Sequence, residues 1–156
     1  VIPQALVGEL DLDSFDAVAV PGGFEGAGFY EDALSQRFSD IIRRFSDKQQ
    51  PVASVCVASL SLGAAGVLKG RRATIYHQIG GKRRAQLEHY GAKFVDEAVV
   101  VDGMLITSTG PGTAIEVAFE LLTVLTSQEN SNHIRKLMRI PEPAASWRGM
   151  PQVSTI

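Results

Sequence analysis

The segment Ser54-Val55-Cys56-Val57-Ala58 joins the apolar run Val52 to Val55 to a stretch of small and apolar residues with no loop between them. A strand that passes straight into a helix through one residue is the setting of a nucleophile elbow. The turn strains the backbone of the central residue and crowds its neighbours, so small side chains are needed two before and two after it. Ser54 and Ala58 meet that need. A thiol so placed stands at a helix N-terminus, where the dipole favours thiolate, and the spacing therefore predicts a lowered pKa and ready oxidation of Cys56. The backbone N–H of Val57 would face the space in which an oxyanion forms. A lone cysteine is often simply core; the strand before Cys56 and the helix after it weigh toward chemistry.

A second apolar run, Ala17 to Val20, ends in Pro21-Gly22-Gly23. Ligands of open α/β sheets bind at the carboxyl ends of the strands. A glycine at that edge can bring another N–H toward the thiol, or can make a plain tight turn. Three histidines could move protons: His77 near the end of a third strand, His89 in a charged helix and His133 near the C-terminus. The last two read as solvated. The nearest acidic residue after the Gly-Gly pair is Glu25, a weaker candidate for an acidic partner of Cys56.

These residues need a frame, and the hydrophobic periodicity supplies one. Ala17–Val20, Val52–Val55 and Ala73–Tyr76 read as strands, the first two buried on both faces. Helices are predicted over about 30–47, from Ala58 to Leu68 with closure near Gly70, and from about Lys82 to Tyr90 with a stop at Gly91. Val99–Val101 and Met104–Thr107 flank Asp102-Gly103, a hairpin signal in which both turn residues would take positive φ. Thr113 and Glu116 have capping-box spacing ahead of an apolar helix, Ile115 to Leu125, and a short last helix is expected over Asn132 to Arg139. Alternation of strands and helices gives an α/β fold with a mostly parallel sheet. Residues 1–140 read as one domain and 141–156, rich in Pro and Ser, as a C-terminal tail.

Composition narrows the function classes. The 156 residues carry a net charge of −2, which recommends neither nucleic acid nor an acidic membrane as partner. No apolar run approaches the roughly 20 residues needed to span a bilayer. The single cysteine forbids an intrachain disulfide and fits a reducing, cytoplasmic setting, although an organelle-targeting segment upstream of Val1 stays open. Neither a metal nor a cofactor is expected.

Taken together, Asp16–Gly23, Val52–Ala58, Lys69–Thr74, Val101-Asp102-Gly103 and above all Ile106-Thr107-Ser108-Thr109-Gly110-Pro111-Gly112-Thr113-Ala114 resemble the ThiJ/PfpI superfamily over about residues 1–138. The resemblance implies a flavodoxin-like three-layer sandwich, as in class I glutamine amidotransferase domains, and a homodimer. By position Cys56 looks like the family nucleophile and Gly23 and Val57 like its oxyanion donors. Gly22 and the Gly110-Pro111 loop would flank the pocket. Tyr76 aligns with the histidine of many members and His77 follows one step later, so either could face the site. Val57 after the cysteine departs from the peptidase branch, which has His there, and from the hydratase branch, which has a hydroxyl.

The resemblance starts partway into the family pattern. It implies that a strand-helix-strand unit with the acidic partner of the cysteine precedes Val1, and that one of its strands runs between the Ala17 and Val52 strands. The activity implied is cysteine-dependent chemistry on a small electrophile, glyoxalase- or deglycase-like, or a small-molecule hydrolase or hydratase. The alternative is a redox sensor or chaperone using Cys56. A ligand-sensing regulator would need a helix-turn-helix, for which the Pro-rich tail after Arg139 is too short.

Overall fold

Parallel pairing of Val18–Val20 (β1) with Val52–Ser54 (β2) begins the sheet, in the register Val18↔Val52, Ala19↔Ala53, Val20↔Ser54. The computed structural model describes residues 2–148. Leu105–Ser108 (β6) pairs parallel to the other edge of β2, and Val99–Asp102 (β5) pairs antiparallel to β6, giving the order β1-β2-β6-β5. Arg72–Ala73 (β3) and Lys93–Phe94 (β4) form a separate two-stranded parallel sheet.

Strand alternation decides which side chain meets which layer. Val52 and its register partner Leu105 point into a core with Ile42 and Phe45 of α2 (Gln36–Asp47), Leu60 and Leu62 of α3 (Ser59–Ala64) and Leu87 of α4 (Arg83–His89). Ala53 and Ile106, also paired, point the other way onto Val117 of α5 (Ala114–Leu125). The result is helix, sheet, helix: the flavodoxin-like layering, with a mostly parallel sheet and one hairpin. The remaining helices are α1 (Phe29–Ala33), α6 (Gln128–Leu137) and α7 (Ala145–Arg148). None is long and apolar enough to cross a membrane among the described residues.

Several expectations are corrected. β1 and β2 pair directly, and among the described residues no strand lies between them. Val18 N–H donates to Pro51 O at 3.0 Å and Val55 N–H to Val20 O at 3.1 Å, so the facing edges satisfy each other. β1 is an edge strand with Ala19 exposed, not a strand buried on both faces. The helix expected over 30–47 is two helices, because Ser35 caps α2 by accepting from Phe38 N–H at 3.5 Å. The helix after the elbow ends at Ala64, and Gly66 (φ 81°) turns the chain before Gly70 does.

The third strand shortens to Arg72–Ala73. Beyond it, Thr74 N–H donates to the Thr107 hydroxyl rather than to a backbone ladder. In the hairpin Asp102 pairs with Leu105, so the turn residues are Gly103 and Met104, and of these only Gly103 has positive φ. The capping box does not form: Thr113 Oγ1 donates to Gly110 O, and Glu116 is taken by Arg135. The last long helix starts earlier than expected, with Ser127 accepting from Asn130 N–H at 3.1 Å.

Residues 141–148 of the expected tail hold α7, and Arg135 Nη1 donates to Pro141 O at 3.1 Å. The rest of the expected tail, 149–156, lies outside the described residues.

Candidate active site

Among the described residues, three other than glycine have left-handed φ: Gln49 (60°), Cys56 (63°) and Arg139 (55°). Gln49 and Arg139 follow the ends of α2 and α6. There Gln50 N–H reaches Phe45 O and Ile140 N–H reaches Arg135 O, the bonds of Schellman caps. Cys56 caps nothing. It stands between β2 and a 3₁₀ turn, Cys56–Ala58, that leads into α3. A β-carbon in this conformation costs roughly 1–2 kcal/mol.

The elbow is held from all sides. Ser54 Oγ and Ser59 Oγ are hydrogen-bonded across it at 3.0 Å, and Ser108 Oγ at the end of β6 donates to Ser54 O at 3.2 Å. Tyr76 N–H donates to Cys56 O at 3.3 Å. Gly22 lies so close that an added Cβ would stand 2.8 Å from Cys56 Cβ and 3.4 Å from Sγ. Gly23 instead faces the Phe29 ring, where an added Cβ would come within 2.4 Å of it. Thus the glycine in contact with the thiol is Gly22.

The half-buried thiol has its pKa raised. Burial dominates; the Val57 N–H bonded to the sulfur and the charge of Arg83 pull the other way. This corrects the expected lowering. The helix that was to stabilise thiolate has six residues and begins three positions after Cys56, so its dipole is small and distant.

The other expected residues separate. His77 is largely buried but engaged elsewhere. Its Nδ1 lies 2.7 Å from Ile75 O, its Nε2 lies 3.3 Å from Asp96 Oδ1, and its ring stands edge-on to Phe94. Tyr76 is tied to the elbow by its backbone, while its hydroxyl accepts from Gln78 Nε2 at 2.9 Å. Gly110 and Pro111 open a 3₁₀ turn at the carboxyl end of β6, closed by Thr113 N–H onto Gly110 O at 3.0 Å. Glu25 faces Arg83 at 3.5 Å and Lys82 at 3.9 Å. No side chain among the described residues is hydrogen-bonded to the thiol. No cluster of three or more His, Cys, Asp or Glu side chains gathers among those residues either.

Sequence reasoning missed two residues whose charges bear on one another and on the thiol. Tyr30 feels the charges of both Arg83 and Cys56, and burial raises its pKa. The Arg83 guanidinium lies over the Tyr30 ring, 4.6 Å from its centre. Both line a cavity of about 650 Å³ together with Glu25, Leu34, Leu60 and Tyr90. Nothing in the run Lys82-Arg83-Arg84 distinguishes the middle residue until the fold sets it on Tyr30.

The sequence pattern of the DJ-1/PfpI family matches residues 1–124. The chain belongs to the DJ-1/PfpI family. It is 31% identical over 136 residues to Protein dj-1beta of Drosophila melanogaster, covering 87% of this chain and 70% of that protein. Against Deglycase PfpI of Pyrococcus furiosus the identity is 36% over 104 residues, 67% of this chain and 58% of the relative. With Protein DJ-1 homolog B of Arabidopsis thaliana it shares 28% identity over 86% of this chain but only 29% of the relative. The crystal structure of the Drosophila DJ-1beta protein superposes with a TM-score of 0.78 at 30% identity, over 91% of this chain and 73% of that one. The chain thus spans less than two thirds of several DJ-1/PfpI relatives that it matches.

Proposed function

We propose that this DJ-1/PfpI chain is a cysteine-dependent enzyme acting on a small carbonyl electrophile, in a glyoxalase- or deglycase-like reaction. The observation that carries the reading is the left-handed φ of Cys56 at the end of a buried parallel strand. Backbone strain of this kind persists where function requires it, and no helix cap accounts for it here. Deglycases among the relatives support the same class.

For a 2-oxoaldehyde the steps balance without an external oxidant. Cys56 first loses its thiol proton to water; the sulfur then forms a bond to the aldehyde carbon, and the carbonyl π pair moves onto oxygen, where the Val57 N–H stabilises it. A proton then passes from that carbon to the neighbouring ketone carbon through an enediol. One carbon is oxidised to a thioester and the other reduced to an alcohol. Water cleaves the thioester, giving a 2-hydroxy acid and freeing the thiolate.

The test is conversion of methylglyoxal to lactate followed by NMR. Turnover by the wild type that Cys56→Ser removes supports the reading. Equal turnover by the two proteins, or none by the wild type, rejects it.

A further inference from the structure

Small side chains are all that the crowding of the elbow asks of positions 54 and 58, and Ala58 meets it with a methyl group alone. Ser54 adds a hydroxyl, and Ser59 brings another one residue beyond the elbow. Both residues are fully buried. A buried hydroxyl is costly unless it is hydrogen-bonded, and these two are bonded to each other at 3.0 Å.

Helix capping does not account for Ser59. It is the first residue of α3, but the cap position belongs to Ala58, which makes no side-chain bond to the helix. A serine that caps turns its oxygen onto the N–H groups of its own helix. Ser59 turns back to the strand instead. Ser61, two residues on, gives the contrast: it is nearly as deeply buried, and its hydroxyl has no partner.

The pair closes residues 54–59 into a short ring around the turn Cys56–Ala58. The Ser108 hydroxyl fixes the same end of β2 by donating to Ser54 O at 3.2 Å. Inside the ring Cys56 holds its φ of 63°, and Ala58 N–H reaches Val55 O at 3.2 Å. Stretching the ring would let Cys56 leave the left-handed region, and the hydroxyl bond opposes that stretch. The cost of the conformation and the net worth of a buried neutral hydrogen bond are of the same order. The left-handed turn also orients the next peptide, whose Val57 N–H is bonded to the sulfur.

We infer that Ser54 and Ser59 are positioning residues of the reaction: their buried hydroxyl pair holds Cys56 in its left-handed conformation and keeps the Val57 N–H aimed at the thiol and at the oxygen of the carbonyl under attack. The inference rests on Cys56 being the reacting atom of the proposed function. It concerns how that atom is aimed, not what it attacks.

Removing both hydroxyls separates aim from stability. A single truncation leaves one buried hydroxyl unpaired, whereas replacing both partners by apolar groups is nearly neutral. In urea Ser59→Ala should therefore be less stable than wild type, and the double variant Ser54→Ala with Ser59→Ala should regain much of that loss. Function should not follow stability. The double variant should turn over methylglyoxal with kcat lowered at least roughly tenfold and KM little changed. The pH midpoint of Cys56 alkylation by iodoacetamide, read by intact mass, should lie above that of wild type, because the sulfur loses the Val57 N–H. Ser59→Thr keeps the hydroxyl and should stay nearer the wild-type midpoint. Ser61→Ala, which removes the unpartnered hydroxyl, should match wild type. A double variant at the wild-type midpoint, or at the wild-type kcat where the wild type turns over, overturns the inference; so does a Ser61→Ala midpoint moved as far as that of the double variant. Should the double variant fail to fold, Ser59→Ala gives the reading, and a wild-type midpoint in it overturns the inference. A moved midpoint in a protein that never turns over methylglyoxal leaves this inference standing and removes the glyoxalase reading; turnover with an unmoved midpoint does the reverse.

Discussion

Gly22 and Cys56 are in contact across the carboxyl ends of β1 and β2: a methyl group on Gly22 would fall 2.8 Å from Cys56 Cβ and 3.1 Å from Val55 O. The loop that ends β1 therefore has room for hydrogen alone at this point. Gly22→Ala should push the elbow out of place, cutting turnover at least roughly tenfold and destabilising the domain by about 1–3 kcal/mol, as overpacking does. Turnover and urea unfolding of the one variant check both statements.

The strain at Cys56 predicts a difference between two inactive variants. Glycine adopts a φ of 63° freely and alanine does not. Cys56→Gly should be more stable than Cys56→Ala by about 1 kcal/mol, although glycine at an ordinary position is the weaker choice. Paired urea titrations measure it; equal stabilities would mean that the elbow relaxes once the thiol is gone.

Burial raises the Cys56 pKa, so the thiol rests protonated and its reactivity should climb with pH beyond the range of a free thiol. The midpoint of iodoacetamide alkylation should lie above that of glutathione, and turnover should rise over the same alkaline limb. In Arg83→Gln the midpoint should move further up, because the removed charge favoured thiolate. A midpoint below that of glutathione would contradict the assignment of burial as the dominant cause.

Arg135 and Glu116 form a buried two-pronged pair at 2.8 and 2.5 Å, with the guanidinium 4.0 Å from the centre of the Phe119 ring. Removing either partner strands a charge. Arg135→Met should cost about 3–5 kcal/mol, and adding Glu116→Leu to it should recover a substantial part. Thermal unfolding of the single and double variants gives the answer.

Asp102 contributes a pH dependence of the opposite sense to Cys56. Arg72 N–H, bonded to its carboxylate at 2.8 Å, and the Arg71 guanidinium hold its pKa below the usual carboxylate value of 3.8. A depressed folded-state pKa adds stability above the unfolded value and loses it as pH falls through the folded one. Asp102→Asn should therefore be less stable than wild type at neutral pH, with the gap closing below pH 3.8. Urea midpoints across that window test the sign.

The parts of the fold legible in the sequence were those fixed by local chemistry. Val52 to Ser54, fully buried, reads as an interior strand because nothing polar interrupts it, and the elbow follows from the small residues around Cys56. An apolar run says nothing about its own edges, however, and β1 looks the same whether or not a strand covers its far side. Thr113 and Glu116 have the right spacing for a cap, but Arg135 on the next helix outcompetes it for the carboxylate. His77 stood out by residue type, yet two acceptors, Ile75 O and Asp96, hold its ring elsewhere. Tyr30 and Arg83 are ordinary in sequence, and only the packing of α4 against α1 makes them a pair.

The parallel register of β1, β2 and β6 sends Gly22, Cys56 and Gly110 to one end of the sheet, and the Gly103-Met104 turn to the other. The molecule accordingly has a handle. A label attached at Met104, which is 43% exposed, would sit a full strand length from the thiol. It could report immobilisation or single-molecule rotation while the reactive end stays open to solution.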